Sequence, residues 1–175
     1  NNIEFLITTT TLSSSNLLEK KKIEYNIIHR FFPLDTERLS GSFLEKWKPD
    51  LVCFVDSEIW PNFLFKIKEK KIPLVLINGR ITKKTFKKWI LLRNFAKKVF
   101  NNFDLCLACS EESKNNLEKI EVKNLSYIGN LKFAVKIRRE KIDKLNKKIL
   151  ENFKPWCAAS THQGEEFILL KTHNE

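Results

Sequence analysis

Short, continuous apolar runs alternate along this chain with longer stretches whose apolar residues recur at helical spacing. The continuous runs, at Glu4–Thr8, Asn26–Phe31, Leu51–Val55, Leu74–Ile77, Leu105–Ala108, Ser126–Ile128 and Trp156–Ala159, predict strands. The stretches between them, at Ser15–Lys22, Thr36–Trp47, Asn62–Lys70, Lys83–Phe100, Ser113–Ile120, Arg139–Phe153 and Gly164–His173, predict helices. Runs that are apolar throughout suit strands covered on both faces, and strands separated by helices build βαβ units around a parallel sheet. The pattern therefore predicts an α/β fold with a Rossmann-like parallel sheet.

The segments that leave the strands differ from those that enter them. Leaving are Thr8-Thr9-Thr10-Thr11, Asp56-Ser57-Glu58, Asn78-Gly79-Arg80, Ser110-Glu111, Gly129-Asn130-Leu131-Lys132 and Ser160-Thr161-His162. Entering are solvated turns such as Lys48-Pro49-Asp50 and Lys71-Ile72-Pro73. Parallel sheets bind ligands outside the carboxyl ends of their strands, so this asymmetry puts the chemistry along one edge.

Composition adds two constraints. The 175 residues hold 32 basic and 21 acidic side chains, a formal charge of +11, which points to an anionic partner. A bias toward Lys, Asn, Ile and Phe with only 4 Gly offers a purely compositional reading of the same excess. The chain has no Met, starts almost at once on a strand, and ends within a helical pattern, so it reads as a segment of a longer protein. Cys53, Cys106, Cys109 and Cys157 lie in or beside apolar runs and read as buried free thiols of a reducing compartment. Cys106-Leu107-Ala108-Cys109 has no second pair or spaced His to complete a zinc site. No run of 18 apolar residues is present.

Several groups suit specific chemistry. Glu58 can serve as general base or hold a hydroxyl, or simply complement a helix N-terminus; Trp60 can floor a sugar ring or join the core. Arg80 offers a planar bidentate donor to phosphate or carboxylate, and Lys132 a point charge. Ser160, Thr161, His162, Gly164 and Glu165 stand between a strand and a helix, where free backbone N–H groups favour a phosphate and where plain capping is the competing reading. Lys83–Phe100 combines basic and bulky apolar residues, which suits either core packing or an anionic membrane surface. Binding of nucleic acid is disfavoured, because aromatic and basic residues are not interleaved as a stacking platform.

Taken together, Leu6–Thr11, Pro33-Leu34-Asp35, Asp56–Asn62, Asn78-Gly79-Arg80, Gly129-Asn130-Leu131-Lys132-Phe133 and Ala159–Glu166 resemble the 3-deoxy-D-manno-octulosonic acid (Kdo) transferases, in order along nearly the whole chain. The resemblance implies a GT-B glycosyltransferase: an acceptor-side domain over residues 1–135 lacking its first strand and helix, a linker helix over 136–153, and the start of a nucleotide-sugar domain over 154–175. It implies transfer of Kdo from CMP-Kdo to lipid IVA with inversion, without cofactor or metal, at the cytoplasmic face of the bacterial inner membrane. The partners implied are CMP-Kdo, lipid IVA and an anionic membrane surface, with no nucleic acid; other sugar-nucleotide transferases of the same architecture and a non-catalytic basic module are the alternatives. Glu58 would handle the acceptor, Ser160, Thr161, His162, Gly164 and Glu165 would hold the donor, and Thr9, Trp60, Asn62, Arg80, Asn130 and Lys132 would contact acceptor or anions. The family's general base follows a strand upstream of residue 1, so this segment alone is expected to be inactive. Asp56, Gly79 and Ala134 depart from the family's usual Glu, Ala and Asp.

Overall fold

The computed structural model describes residues 3–21, 27–134 and 156–174. The chain divides into two compact units, residues 1–134 and 135–175. In the first, strands and helices alternate: β1 (Phe5–Thr9), α1 (Leu12–Lys21), β2 (Ile27–Phe31), α2 (Glu37–Trp47), β3 (Val52–Val55), α3 (Pro61–Glu69), β4 (Leu74–Gly79), α4 (Lys83–Leu91), α5 (Arg93–Phe100), β5 (Leu105–Ala108), α6 (Glu111–Lys119) and β6 (Leu125–Tyr127). A 3-10 turn over Leu131–Ala134 closes the unit. Among the described residues every strand pairing is parallel, as the continuous apolar runs predict.

Among the described residues, the strands form two sheets rather than one. β1 pairs with β2, and β3, β4, β5 and β6 pair in that order in a second sheet. The core lies on the larger sheet: Leu74 and Leu76 of β4, Cys106 and Ala108 of β5, and Leu64, Ile67, Ala96, Val99, Phe100 and Leu117 from the helices are fully buried. A cluster of rings, Phe32, Phe54, Phe63 and Trp60, ties the segment after β2 to β3 and α3, with Phe32 4.8 Å from Phe63 between centroids.

Local signals explain the helix starts. Thr36, Thr82 and Ser110 accept from the backbone N–H groups of Leu39, Thr85 and Ser113, capping α2, α4 and α6. The stretch predicted as one helix over Lys83–Phe100 is two, broken at Leu92 with φ −119° and ψ 51°. The break lets Trp89 stack on Phe95 and meet Phe100 edge-on.

Two other expectations need correction. Cys106 and Cys109 are buried, but Cys53 and Cys157 are exposed; all four are free. Cys53 lies on β3, the end strand of its sheet, so neighbours cover it on one side only. Residues 156–159 form no strand, because none of the described strands pairs with them and a strand exists only through its ladder. The predicted helix Arg139–Phe153 lies outside the described residues. The second unit contains α7 (Glu165–Asn174). Among the described residues, no helix is long and apolar enough to cross a membrane.

Candidate active site

The carboxyl ends of β3, β4 and β6 are joined by one polar network. Asp56 and Asn78 end adjacent strands with φ of 59° and 56°, the left-handed region that short polar side chains tolerate best. The Asn78 amide donates through Nδ2 to Asp56 Oδ1, while its Oδ1 accepts from the Leu131 backbone N–H at 3.0 Å. A carboxylate only accepts and a backbone N–H only donates, so these partners fix which way the amide points. Lys132 Nζ stands 3.6 Å from Asp56 Oδ2, and the Arg80 backbone N–H donates to the Asp56 carbonyl at 3.2 Å. Ser57 Oγ closes the ring by donating to the Arg80 carbonyl at 3.0 Å.

Glu58 projects from the turn just beyond this network and is exposed. Its Oε2 accepts from Trp60 Nε1 at 2.8 Å. The Trp60 ring is half-buried and lies 5.5 Å from Phe32 between centroids, so the indole that orients the carboxylate is itself anchored in the core cluster. Trp60 thus packs on the core cluster and holds the Glu58 carboxylate through its indole N–H, where sequence reasoning set a floor for a sugar ring against core packing.

Asn62 sits in the first turn of α3 and binds the chain rather than open space: its Nδ2 donates to the Asp35 carbonyl at 2.8 Å. Asp35 in turn accepts from the backbone N–H groups of Asn62 at 3.2 Å and Phe63 at 2.8 Å. It caps α3 from 27 residues away, because Trp60 at the N-cap position offers no side-chain acceptor. Thr9, at the end of β1, is held by His29, with Oγ1 2.9 Å from Nε2.

Arg80, Asn130 and Lys132 line one cleft of about 580 Å³ at the carboxyl ends of β4, β5 and β6. Ser110 at the N-cap of α6, Glu112 and Ser113 from its first turn, and the exposed rings of Tyr127 and Phe133 also line it. Two cationic side chains, an amide and a helix start suit an anionic group, and the rings suit the C–H face of a sugar. Glu58 does not line this cleft.

In the second unit, Ser160, Thr161 and His162 are exposed, and Ser160 and Gly164 have φ of 60° and 95°. The N–H groups expected to meet a phosphate already have acceptors. His162 N–H donates to Glu165 Oε2 at 2.9 Å, and Gly164 N–H to Glu166 Oε2 at 3.0 Å. The geometry of this segment is that of a cap, with Glu165 reaching back to the preceding turn.

Sequence reasoning named Asp35, Asp56 and Asn78 only as members of motifs, without the hydrogen bonds that make them hold neighbouring segments, and it passed over His29. The available signal for Asp56 and Asn78 was position, at the carboxyl ends of β3 and β4; His29 lies in mid-strand and Asp35 in the turn before α2, where position alone marks neither.

With that geometry in view, comparison with known proteins is decisive. A family model described as 3-deoxy-D-manno-octulosonic-acid transferase (kdotransferase) matches residues 1–135. The chain belongs to the Kdo transferase family. A Rickettsia typhi 3-deoxy-D-manno-octulosonic acid transferase is 33% identical over 176 residues, covering 99% of this chain and 37% of that protein. The Haemophilus influenzae transferase of the same name is 26% identical, covering 95% of this chain and 40% of that protein. A Fusobacterium nucleatum bifunctional glycosyltransferase/methyltransferase is 29% identical over 87% of this chain and 24% of its own length. The chain therefore spans well under half the length of these Kdo-transferase relatives, and its α/β first unit is a Rossmann-like N-terminal domain of this glycosyltransferase family.

Proposed function

We propose that this chain is the acceptor-side domain, with the opening of the donor-side domain, of a GT-B Kdo transferase. The complete enzyme moves Kdo from CMP-Kdo to lipid IVA with inversion at the anomeric carbon, without metal, at the cytoplasmic face of the bacterial inner membrane. The observation that carries this reading is Glu58 held by Trp60 at the carboxyl end of β3. An exposed carboxylate fixed by a half-buried indole is suited to orient an acceptor hydroxyl, or to assist its loss of a proton as the glycosidic bond forms. Arg80 and Lys132 then meet anionic groups of Kdo or of the acceptor. Leu91 and Leu92, 81% and 64% exposed at the α4–α5 break among Lys87, Lys88, Arg93, Lys97 and Lys98, support contact with an anionic membrane surface. In the second unit, Ser160, Thr161 and His162 meet the CMP phosphate only if the Glu165 and Glu166 carboxylates swing away.

The test uses a polypeptide carrying this chain with its flanking coding sequence, incubated with CMP-Kdo and lipid IVA. The expected result is release of CMP and a lipid heavier by one or more Kdo residues, with UDP-sugars inert. No CMP release with both substrates present, or transfer from a UDP-sugar instead, overturns the reading.

A further inference from the structure

The hydroxyls at the carboxyl end of β1 have different partners. Thr8 and Thr9 end the strand, and Thr10 and Thr11 follow. Thr11 accepts from the Ser14 backbone N–H at 3.2 Å, in the manner of a cap at the start of α1. Thr9 is engaged elsewhere. Its Oγ1 stands 2.9 Å from Nε2 of His29, a ring that β2 carries and that is 7% exposed. On the other side of the ring, Nδ1 lies 3.9 Å from Oε1 of Glu19 on α1. Three successive elements thus bring a carboxylate, an imidazole and a hydroxyl together in series.

The chemistry of the three groups sets the direction of the bond. A neutral imidazole has one N–H and one bare nitrogen, and what each nitrogen faces decides which is which. The Glu19 carboxylate only accepts; at 3.9 Å it is too far for a hydrogen bond but near enough for its charge to favour the proton on Nδ1. Nε2 is then the bare nitrogen, and Thr9 donates its one hydroxyl proton to it. The neighbouring charge on β2, Arg30, is taken up by the His29 carbonyl at 2.7 Å and lies over the Trp47 ring at 5.3 Å. Phe31, uncharged, meets the imidazole edge-on. Thr9 Oγ1 is left half-buried, with lone pairs to offer and no proton.

We propose that Glu19 and His29 hold the Thr9 hydroxyl as a hydrogen-bond acceptor, so that Thr9 takes a sugar hydroxyl of the acceptor substrate and not a phosphate or carboxylate. His29 is a positioning residue in this arrangement, because it acts through Thr9. Parallel sheets bind ligands at the carboxyl ends of their strands, and Thr9 ends β1. An anion needs donors, and the cationic donors Arg80 and Lys132 line a cleft to which Thr9 does not contribute. The tasks are therefore divided: that cleft takes charge, and Thr9 takes a neutral hydroxyl. A doubly protonated ring reverses the assignment, since Nε2 then donates to Thr9 and frees the Thr9 proton for an anion. The proposal rests on the acceptor-side reading given above and adds to it the kind of group that Thr9 recognises.

The test uses the polypeptide with its flanking sequence and has two arms. In the first, the imidazole nitrogen resonances of His29, assigned by their loss in His29→Gln, are read by NMR at about pH 7.5, where an ordinary imidazole is neutral. The expected result is a proton on Nδ1 and a bare Nε2; a protonated Nε2 overturns the proposal. In the second, CMP release is measured against lipid IVA and CMP-Kdo concentration. Thr9→Val, which keeps the shape and removes the hydroxyl, is expected to raise KM for lipid IVA about 5- to 10-fold, the scale of one hydrogen bond, with KM for CMP-Kdo unchanged. His29→Phe is expected to weaken lipid IVA in the parent and to add nothing in the Thr9→Val background. An equal loss in both backgrounds makes the ring structural only, and a parental KM for lipid IVA in Thr9→Val removes the contact; either overturns the proposal. A parent that releases no CMP overturns the proposed function and the lipid contact with it, while the imidazole resonances still decide which way the Thr9 proton points.

Discussion

Replacing Asn78 by Ala removes the centre of the network that joins β3, β4 and the segment after β6. Asn78 is 4% exposed, and the substitution deletes both of its hydrogen bonds. The bond to Asp56 is charge-assisted, but the Asp56 side chain is 38% exposed and recovers some water, so its loss costs about 1.5 kcal/mol, the lower end for such bonds. The Leu131 N–H loses a neutral partner at about 1 kcal/mol. Ala tolerates a φ of 56° less well than Asn, which adds about 1 kcal/mol. The total of about 3.5 kcal/mol is a large share of an ordinary domain's stability. Asn78→Gly loses the same bonds but is at ease at positive φ, so it should destabilise by about 1 kcal/mol less than Ala despite its greater chain freedom. Equilibrium urea unfolding measures both variants. An Asn78→Ala protein within about 1 kcal/mol of the parent, or a Gly variant less stable than the Ala variant, refutes the reasoning.

Three further outcomes follow from the caps and the burial of the cysteines. Asp35→Ala should destabilise by about 1–2 kcal/mol in urea unfolding, since α3 loses a cap that satisfies two N–H groups, and Asp35→Asn should recover part of that. Burial pushes the Cys106 thiol up to about 12, so it stays protonated in the folded protein at pH values where an unfolded thiol ionises. The folded state therefore loses this contribution as pH rises from about 8.5 toward that value. Alkylation followed by peptide mass analysis at pH 8 should label the exposed Cys53 and Cys157 first and leave Cys106 for the denatured chain.

Much of the fold was legible because periodicity reports burial. Leu74–Ile77 and Leu105–Ala108 are apolar throughout and become the central strands, covered on both faces. Helix starts followed from Thr36, Thr82 and Ser110, whose hydroxyls act within three residues of themselves. The α4–α5 break was not legible, because it depends on Trp89 folding back on Phe95 and Phe100, and no Pro or Gly marks it. Neither was the lack of a strand at Trp156–Ala159, since a ladder needs a partner and a run of apolar residues does not supply one.

At the site, residue chemistry was legible and partnership was not. Arg80, Asn130 and Lys132 were singled out because each follows a strand, and the fold brings all three to one cleft. That Asn62 binds Asp35, and that Glu58 leans on Trp60, are contacts between side chains whose meeting depends on how two turns approach. Asp56 and Asn78 had ordinary turn chemistry in sequence; only adjacent strands in register turn them into a pair.

The most direct test of the account is the CMP-release rate of the polypeptide with its flanking sequence, parent against Glu58→Ala, with CMP-Kdo and lipid IVA. The account predicts release by the parent and a loss on the order of 100-fold in kcat for Glu58→Ala, the scale of a positioned acid–base group, with an unfolding midpoint close to that of the parent. Near-parental turnover in Glu58→Ala contradicts the assigned role, and absence of CMP release from the parent contradicts the function itself.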